Sequence, residues 1–241
     1  MIRTLAIVAG ASFVIGAVCL GGAAALAGPD LAKSNFWQEL EGVPGVDVEV
    51  DNGAPAVTQA RELTGFTSID VGGGLDTEIT VGPAFKVEVI GPQPDLILTE
   101  LDGTTLSIHP QRRNWWRGTP RTHIRVSLPA LEGVTSSSGA NVGVTGVTGG
   151  DLTLEASSGA SLDIAGTCAA ISAEASSGGS LDAAELVCAT GSAEASSGGS
   201  VEVHVTGTLN IEASSGGSID AAGDPTIGDI SLSSGGSFDH E

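Results

Sequence analysis

The sequence predicts an all-β protein, a solenoid whose coils are each about 19 residues long. A short Ser/Gly phrase recurs at a nearly constant spacing, apolar and polar residues alternate between its copies, and small residues dominate the composition. Glycine accounts for 36 of the 241 residues, tyrosine is absent, and aromatic residues make up 3%. Because large side chains are scarce, the core must be narrow and built from Ala, Val, Ile and Leu.

The recurring phrase is typified by EASSGGSLD at residues 174–182. Its period is too short for tetratricopeptide or ankyrin repeats, and no helical pattern accompanies it. We therefore expect each copy to form one corner of one coil, with Ser stacked over Ser and Gly over Gly. The glycines at these corners are expected to adopt backbone angles closed to other residues. The first glycine of each of the six copies is Gly139, Gly159, Gly178, Gly198, Gly216 or Gly235.

Between the corners, apolar residues occupy every second position. Leu152, Leu154 and Ala156, for example, alternate with Thr153 and Glu155. A period of two is typical of strands with one buried face, and strands of neighbouring coils would stack about 4.8 Å apart.

Acidic residues recur in register with the corners, so stacking would align them in two columns. The pre-corner acidic column is Glu155, Glu174, Glu194 and Glu212, and the post-corner acidic column is Asp163, Asp182, Glu202, Asp220 and Asp239. Like charges this close repel by about 1 kcal/mol per pair in a high dielectric. Two interpretations stay open: a solvated acidic face, or Ca²⁺ ions that bridge neighbouring coils. The candidate calcium ligands are Asp163, Asp182, Glu202, Asp220, Glu174, Glu194 and Glu212.

The charge distribution argues against a nucleic-acid partner. The formal net charge is −20, and from Val126 onward fifteen Asp and Glu face no Lys or Arg. Phosphate binding needs Lys and Arg, so the acidic part is unsuited to it. A surface this acidic also keeps a glycine-rich protein soluble.

One segment, residues 109–125, interrupts the pattern with the sequence HPQRRNWWRGTPRTHIR. It is interpreted either as a surface connection or as an insertion that binds an anionic envelope polymer or a glycan. It could instead pack on the protein's own acidic coils or lie on anionic lipid headgroups. In the binding interpretation, Arg pairs with anionic groups and Trp stacks on the partner. The candidate binding residues are Arg112, Arg113, Trp115, Trp116 and Arg117.

The N-terminus indicates export. Residues 1–27 combine Arg3, an apolar stretch and an Ala-Leu-Ala cleavage signal, and are predicted to be a signal peptide. An uncleaved membrane anchor is the competing interpretation. After cleavage we expect no stable membrane span and a location in the periplasm, the cell envelope or outside the cell. Residues 28–60 are predicted to be a flexible lead-in, and residues 61–241 the solenoid.

Two cysteines, Cys168 and Cys188, fall at equivalent positions almost one coil apart. Neighbouring coils bring Cα atoms within disulfide range, and export permits oxidation. A disulfide and a pair of stacked free thiols both remain open.

No catalytic motif is found, so no catalytic residue and no cofactor other than possible Ca²⁺ is assigned. An active site needs a unique constellation of residues, whereas this surface repeats. An enzyme acting on polysaccharide is kept as an alternative, and the oligomeric state is not predicted.

Several motifs together resemble the head GIN domain family, whose members are exported bacterial domains labelled as heads of autotransporter adhesins. The run GFTSIDVGGGLDTEITVG is followed by KVEVIGP, DGTTLSI and the serial ASSGGS corners. The resemblance covers about Gly65 to Asp239 and implies a right-handed β-helix without established chemistry. With the family's name, it leads us to expect an exported, non-enzymatic adhesion or structural binding module of the envelope.

Overall fold

The computed structural model describes residues 49–51, 54–111 and 122–240, which are all-β apart from one 3-10 turn at Pro94–Leu96. The predicted signal peptide and most of the lead-in lie outside the described residues. The strands are β1 (Glu49–Asp51), β2 (Ala54–Arg61), β3 (Ser68–Val71), β4 (Asp76–Val81), β5 (Lys86–Gly91), β6 (Ile97–Asp102), β7 (Thr105–Pro110), β8 (His123–Leu128), β9 (Gly133–Ser136), β10 (Asn141–Thr148), β11 (Asp151–Ser157), β12 (Ser161–Ser176), β13 (Ser180–Ala195), β14 (Ser200–Val205), β15 (Thr208–Ala213), β16 (Ser218–Ala222), β17 (Thr226–Leu232) and β18 (Ser237–His240).

The strands wind into a β-solenoid, which confirms the predicted fold class. Strands that precede the Ser/Gly corners pair in parallel in the order β3, β9, β11, β12, β13, β15, β17. Strands that follow the corners pair in the order β4, β10, β12, β13, β14, β16, β18. Corresponding residues of neighbouring turns lie opposite one another, so the sequence period is the length of one turn.

Every Ser/Gly corner is a tight turn closed by a backbone hydrogen bond. Gly179 N–H donates to Ser176 O at 2.9 Å, and Gly199 N–H donates to Ser196 O at 2.9 Å. The first glycine of each copy has a positive φ, as predicted, between 73° and 82°. The residue before it also has a positive φ, although it is a serine, and this the sequence does not reveal. These serines are Ser138, Ser158, Ser177, Ser197, Ser215 and Ser234.

Successive corners also bond to each other. Gly178 N–H donates to Ser197 O, and Gly198 N–H to Ser215 O, both at 3.2 Å. In these corners the second glycine is needed for close approach, because a Cβ on Gly199 would overlap the carbonyl oxygen of Ala175 in the turn below. Stacking of one corner on the next therefore explains why the phrase is copied so faithfully.

The core is a narrow column of small and medium apolar side chains inside the turns. One row runs through Leu162, Leu181, Val201 and Ile219, all essentially inaccessible to solvent. The row ends at Phe238, which is only partly buried. Each inward residue thus packs on its counterparts in the turns above and below it.

The N-terminal end departs from simple winding. β3 lies between β7 and β9. The chain therefore passes from β3 and β4 to the turn formed by β7 and β8 on one side, and then returns to β9 on the other side of β3. β6 pairs antiparallel with β7, and β5 pairs antiparallel with β8. The predicted turns at GPQPD and DGT are present, as the 3-10 turn and the β6–β7 hairpin.

Two boundaries differ from the prediction. β2 pairs antiparallel with β5, so part of the expected flexible lead-in, from Ala54 onward, is a strand. Its alternation is weak because three of its eight residues are alanine, and it pairs with both β1 and β5. The predicted interruption at 109–125 is shorter, because β7 extends to Pro110 and β8 begins at His123.

Candidate functional site

The outer faces of the turns carry the two acidic columns in the predicted register. Glu155, Glu174, Glu194 and Glu212 lie opposite one another on successive strands. The same holds for Asp163, Asp182, Glu202, Asp220 and Asp239 on the other side of the corners. The columns therefore flank the line of stacked corners, with one carboxylate per column on each turn.

Electrostatic interaction within these columns runs from turn to turn. The pKa of Glu194 is raised, first by partial burial and then by the charges of Glu174 and Glu212. The pKa of Asp163 is raised by partial burial and by the charge of Asp182. In both cases the interacting acids belong to the same column, which is what stacking of like charges requires.

This repulsion predicts a pH dependence of stability. A carboxyl with a higher pKa in the folded protein binds its proton more tightly there, so stability is fullest below the unfolded pKa and falls as the pH rises through the folded pKa. Repulsion between the column acids should make the melting temperature at about pH 4 higher than that at pH 7 by about 1–3 °C. The expected difference is small because solvent screens exposed charges well. Glu194→Gln should reduce the difference. Differential scanning calorimetry of both proteins across this range provides the measurement, and a wild-type melting temperature that rises with pH would contradict the expectation.

The structure does not bring the candidate calcium ligands into a preformed cluster. Within residues 49–51, 54–111 and 122–240, no group of three or more Asp, Glu, His or Cys side chains could hold a metal ion. A bridging Ca²⁺ would have two carboxylates of one column and would need further oxygen ligands. Calcium binding stays a prediction.

The basic segment links β7 to β8 along the chain. β7 pairs with β3 and β8 pairs with β4, while the β3–β4 connection is itself a corner. Arg112, Arg113, Trp115, Trp116 and Arg117 lie outside the described residues. At the start of β8, Arg125 Nε lies 3.6 Å from a Glu78 carboxylate oxygen, and His123 Nε2 lies at the same distance.

The two cysteines lie directly opposite each other on β12 and β13. Cys168 and Cys188 are joined by a disulfide with a Cα–Cα distance of 4.5 Å, and both side chains are buried. The bond links one turn of the solenoid to the next and joins residues that are 20 apart in sequence.

A third column, which we call the hydroxyl column, is not anticipated by the sequence analysis. Thr153, Ser172, Ser192 and Asn210 lie opposite one another, all exposed, two residues before the pre-corner acids. Ser192 Oγ donates to Ser172 Oγ at 3.5 Å. The column borders a shallow groove of about 390 Å³ that crosses four turns. Its members differ from turn to turn, so it does not emerge from a search for identical repeats.

Comparison with models of known protein families assigns this chain to a family. Residues 65–225 match the family described as putative auto-transporter adhesin, head GIN domain. The chain belongs to the head GIN domain family. No protein with curated function matches it.

Two solved structures of similar fold are each 16% identical to this head GIN chain. A putative adhesin from Bacteroides fragilis has a TM-score of 0.63, and the match covers 77% of this chain and 97% of that one. A putative adhesin from Parabacteroides distasonis has a TM-score of 0.52 at 16% identity, with coverage of 78% and 98%. At this identity the likeness establishes a common fold. Within the described residues, no helix has the length and apolar character needed to cross a bilayer.

Proposed function

We propose that this head GIN chain is an exported, non-enzymatic β-solenoid that serves as an adhesion or structural binding module of the bacterial envelope. Its family and the adhesin names of its structural neighbours support this role. The signal-peptide pattern of residues 1–27 supports export.

The observation that carries the proposal is the repetition of the outer surface. Each turn from β11 to β15 presents a hydroxyl or amide side chain, then an acid, then a corner, at the same positions. Neighbouring turns repeat this pattern about every 4.8 Å. A surface that is periodic along one axis suits an extended partner that is itself periodic, such as an envelope polysaccharide.

The basic segment supplies positive charge for binding such a partner. Arg112, Arg113 and Arg117 offer pairing groups for anionic polymers, and Trp115 and Trp116 offer rings for stacking on sugars. The partner we propose is therefore an anionic envelope polymer or glycan whose charged groups are engaged by this segment and whose uncharged sugar hydroxyls face the repeated turns.

Retention of the chain on immobilised envelope polymers tests the proposal. The wild-type protein should be retained, and the triple variant Arg112→Ala/Arg113→Ala/Arg117→Ala should elute earlier and at lower salt, because several charge-assisted contacts are lost. A matched control is Lys86→Ala, which removes a cation that pairs with Glu88 within β5. Equal retention of wild type and triple variant would remove the segment from the account, and hydrolysis of polygalacturonate or alginate would contradict a non-enzymatic role.

Calcium binding by the acidic columns is a second proposal, supported by the in-register carboxylates of neighbouring turns. Bound Ca²⁺ would stabilise the folded state in proportion to its concentration. Thermal unfolding with millimolar calcium, compared with the same concentration of magnesium, tests it. A midpoint that does not change with calcium would exclude it.

A further inference from the structure

The β3–β4 corner lacks the two serines that every Ser/Gly copy carries. Gly72 and Gly73 take the positions that Ser137 and Ser138 hold in the next turn. Gly72 N–H donates to Ile108 O at 3.0 Å, and Ser137 N–H donates to Val71 O at 2.9 Å. At Gly73 the ring of Pro110 fills the space that a side chain would take, so the gap lies at Gly72, beside Ser137.

This gap is the floor of a notch of about 540 Å³ in the outer surface. A Cβ on Gly72 would lie 3.2 Å from Ser137 Oγ, so a serine there would occupy the notch. The ring of Pro110 packs over Gly73 and forms one wall. The notch has the size of a small-molecule site and is open to solvent.

Polar side chains from three turns surround the notch. Asp70 lies on β3, His109 and Gln111 on or beside β7, and Ser137 and Ser138 at the following corner. Asp70 is half-buried, and burial raises its pKa while the nearby His109 opposes this shift. The notch therefore offers both hydrogen-bond donors and acceptors beside one apolar wall. These groups are a recessed carboxyl, an imidazole, an amide and two hydroxyls.

This set of groups fits a neutral, hydroxyl-rich ligand. Sugar hydroxyls both donate and accept, so they can satisfy a carboxylate, an amide and a serine together. An anion would meet the Asp70 carboxylate in a strongly acidic protein. A metal ion would find only one carboxylate here, since the described part of the chain has no metal-binding cluster.

We infer that the notch formed by Asp70, Gly72, His109, Gln111 and Ser137 is a subsite for one neutral sugar residue. The inference rests on the proposed function and deepens it, because it assigns a ligand class to a place that includes His109 and Gln111 of the basic segment.

Titration of the isotopically labelled full chain with methyl glycosides of neutral hexoses, followed by NMR, tests the inference. Methyl glucuronide and inorganic phosphate serve as charged comparators. Amide signals of Gly72, Gly73 and Ser137 should shift with a neutral glycoside and much less with the comparators. Asp70→Asn and Gly72→Ser should each weaken the affinity at least about tenfold, since one removes a charged acceptor and the other fills the notch.

Two matched controls isolate the notch. Asp229→Asn changes an exposed acid on β17 that belongs to neither acidic column, and Gly143→Ser adds a side chain at a partly exposed glycine with open space around it. Both should bind as the wild type does. Absence of shifts with every neutral glycoside, or unchanged affinity in Asp70→Asn and Gly72→Ser, would overturn the inference.

The proposed function and the inference can fail separately. If no neutral glycoside shifts the signals of the notch but the wild type is retained on envelope polymers, the proposed function stands and the notch assignment is wrong. If neutral glycosides bind in the notch but the protein is not retained on any envelope polymer, the notch assignment stands and the proposed function is wrong.

Discussion

Replacing Ile211 with aspartate is expected to destabilise the solenoid by more than about 4 kcal/mol, enough to unfold much of the protein at room temperature. Ile211 points into the core and is only 3% exposed. A carboxylate there would have no water and no ion pair, and its removal from solvent would cost far more than the lost packing. Urea unfolding followed by circular dichroism measures the effect.

Ile230 provides a control within the same row. It lies opposite Ile211 on β17, but it is 51% exposed. Ile230→Asp should therefore change the free energy of unfolding by no more than about 1 kcal/mol. Similar losses of stability in the two variants would contradict the structure, in which Ile211 is buried and Ile230 is half exposed.

Removal of the disulfide is expected to cost about 3 kcal/mol, because the bond restricts a loop of roughly 20 residues in the unfolded chain. The double variant Cys168→Ala/Cys188→Ala should unfold at correspondingly lower urea concentration than the oxidised wild type. Reductant should lower the midpoint of the wild type and leave that of the double variant unchanged.

A thiol count under denaturing conditions decides the state of the two cysteines. The structure predicts that Cys168 and Cys188 yield no free thiol until reductant is added. Two free thiols in unreduced exported protein, with a midpoint insensitive to reductant, would support the stacked-thiol alternative instead.

The regular part of the fold could be predicted because each turn repeats the same local rules. Alternation identified the buried face, and the spacing of the Ser/Gly phrase gave the length of a turn, so Glu174 was correctly aligned with Glu194. The same reasoning aligned Cys168 with Cys188. Because the pattern repeats, a contact between residues far apart in sequence can be predicted from local spacing.

The irregular part could not be predicted by that route. The antiparallel pairing of β5 with β8 depends on tertiary packing at the end of the column, and no repeat signals it. The positive φ of Ser177 is imposed by the corner, although serine itself does not favour that conformation. The notch at Gly72 arises from residues that depart from the repeat, and their meaning depends on what lies beside them in space.

Distances between spin labels along one column test most directly whether the turns stack in register. Thr135 lies four turns below Glu212 and five below Ser231 through a continuous series of paired residues. At about 4.8 Å per turn, pulsed electron paramagnetic resonance on the two cysteine pairs should give narrow distributions near ~19 Å and ~24 Å, allowing for the label arms. A difference of one turn spacing between the two pairs is the predicted result. Broad distributions, or distances that do not increase from the first pair to the second, would contradict the stacked solenoid.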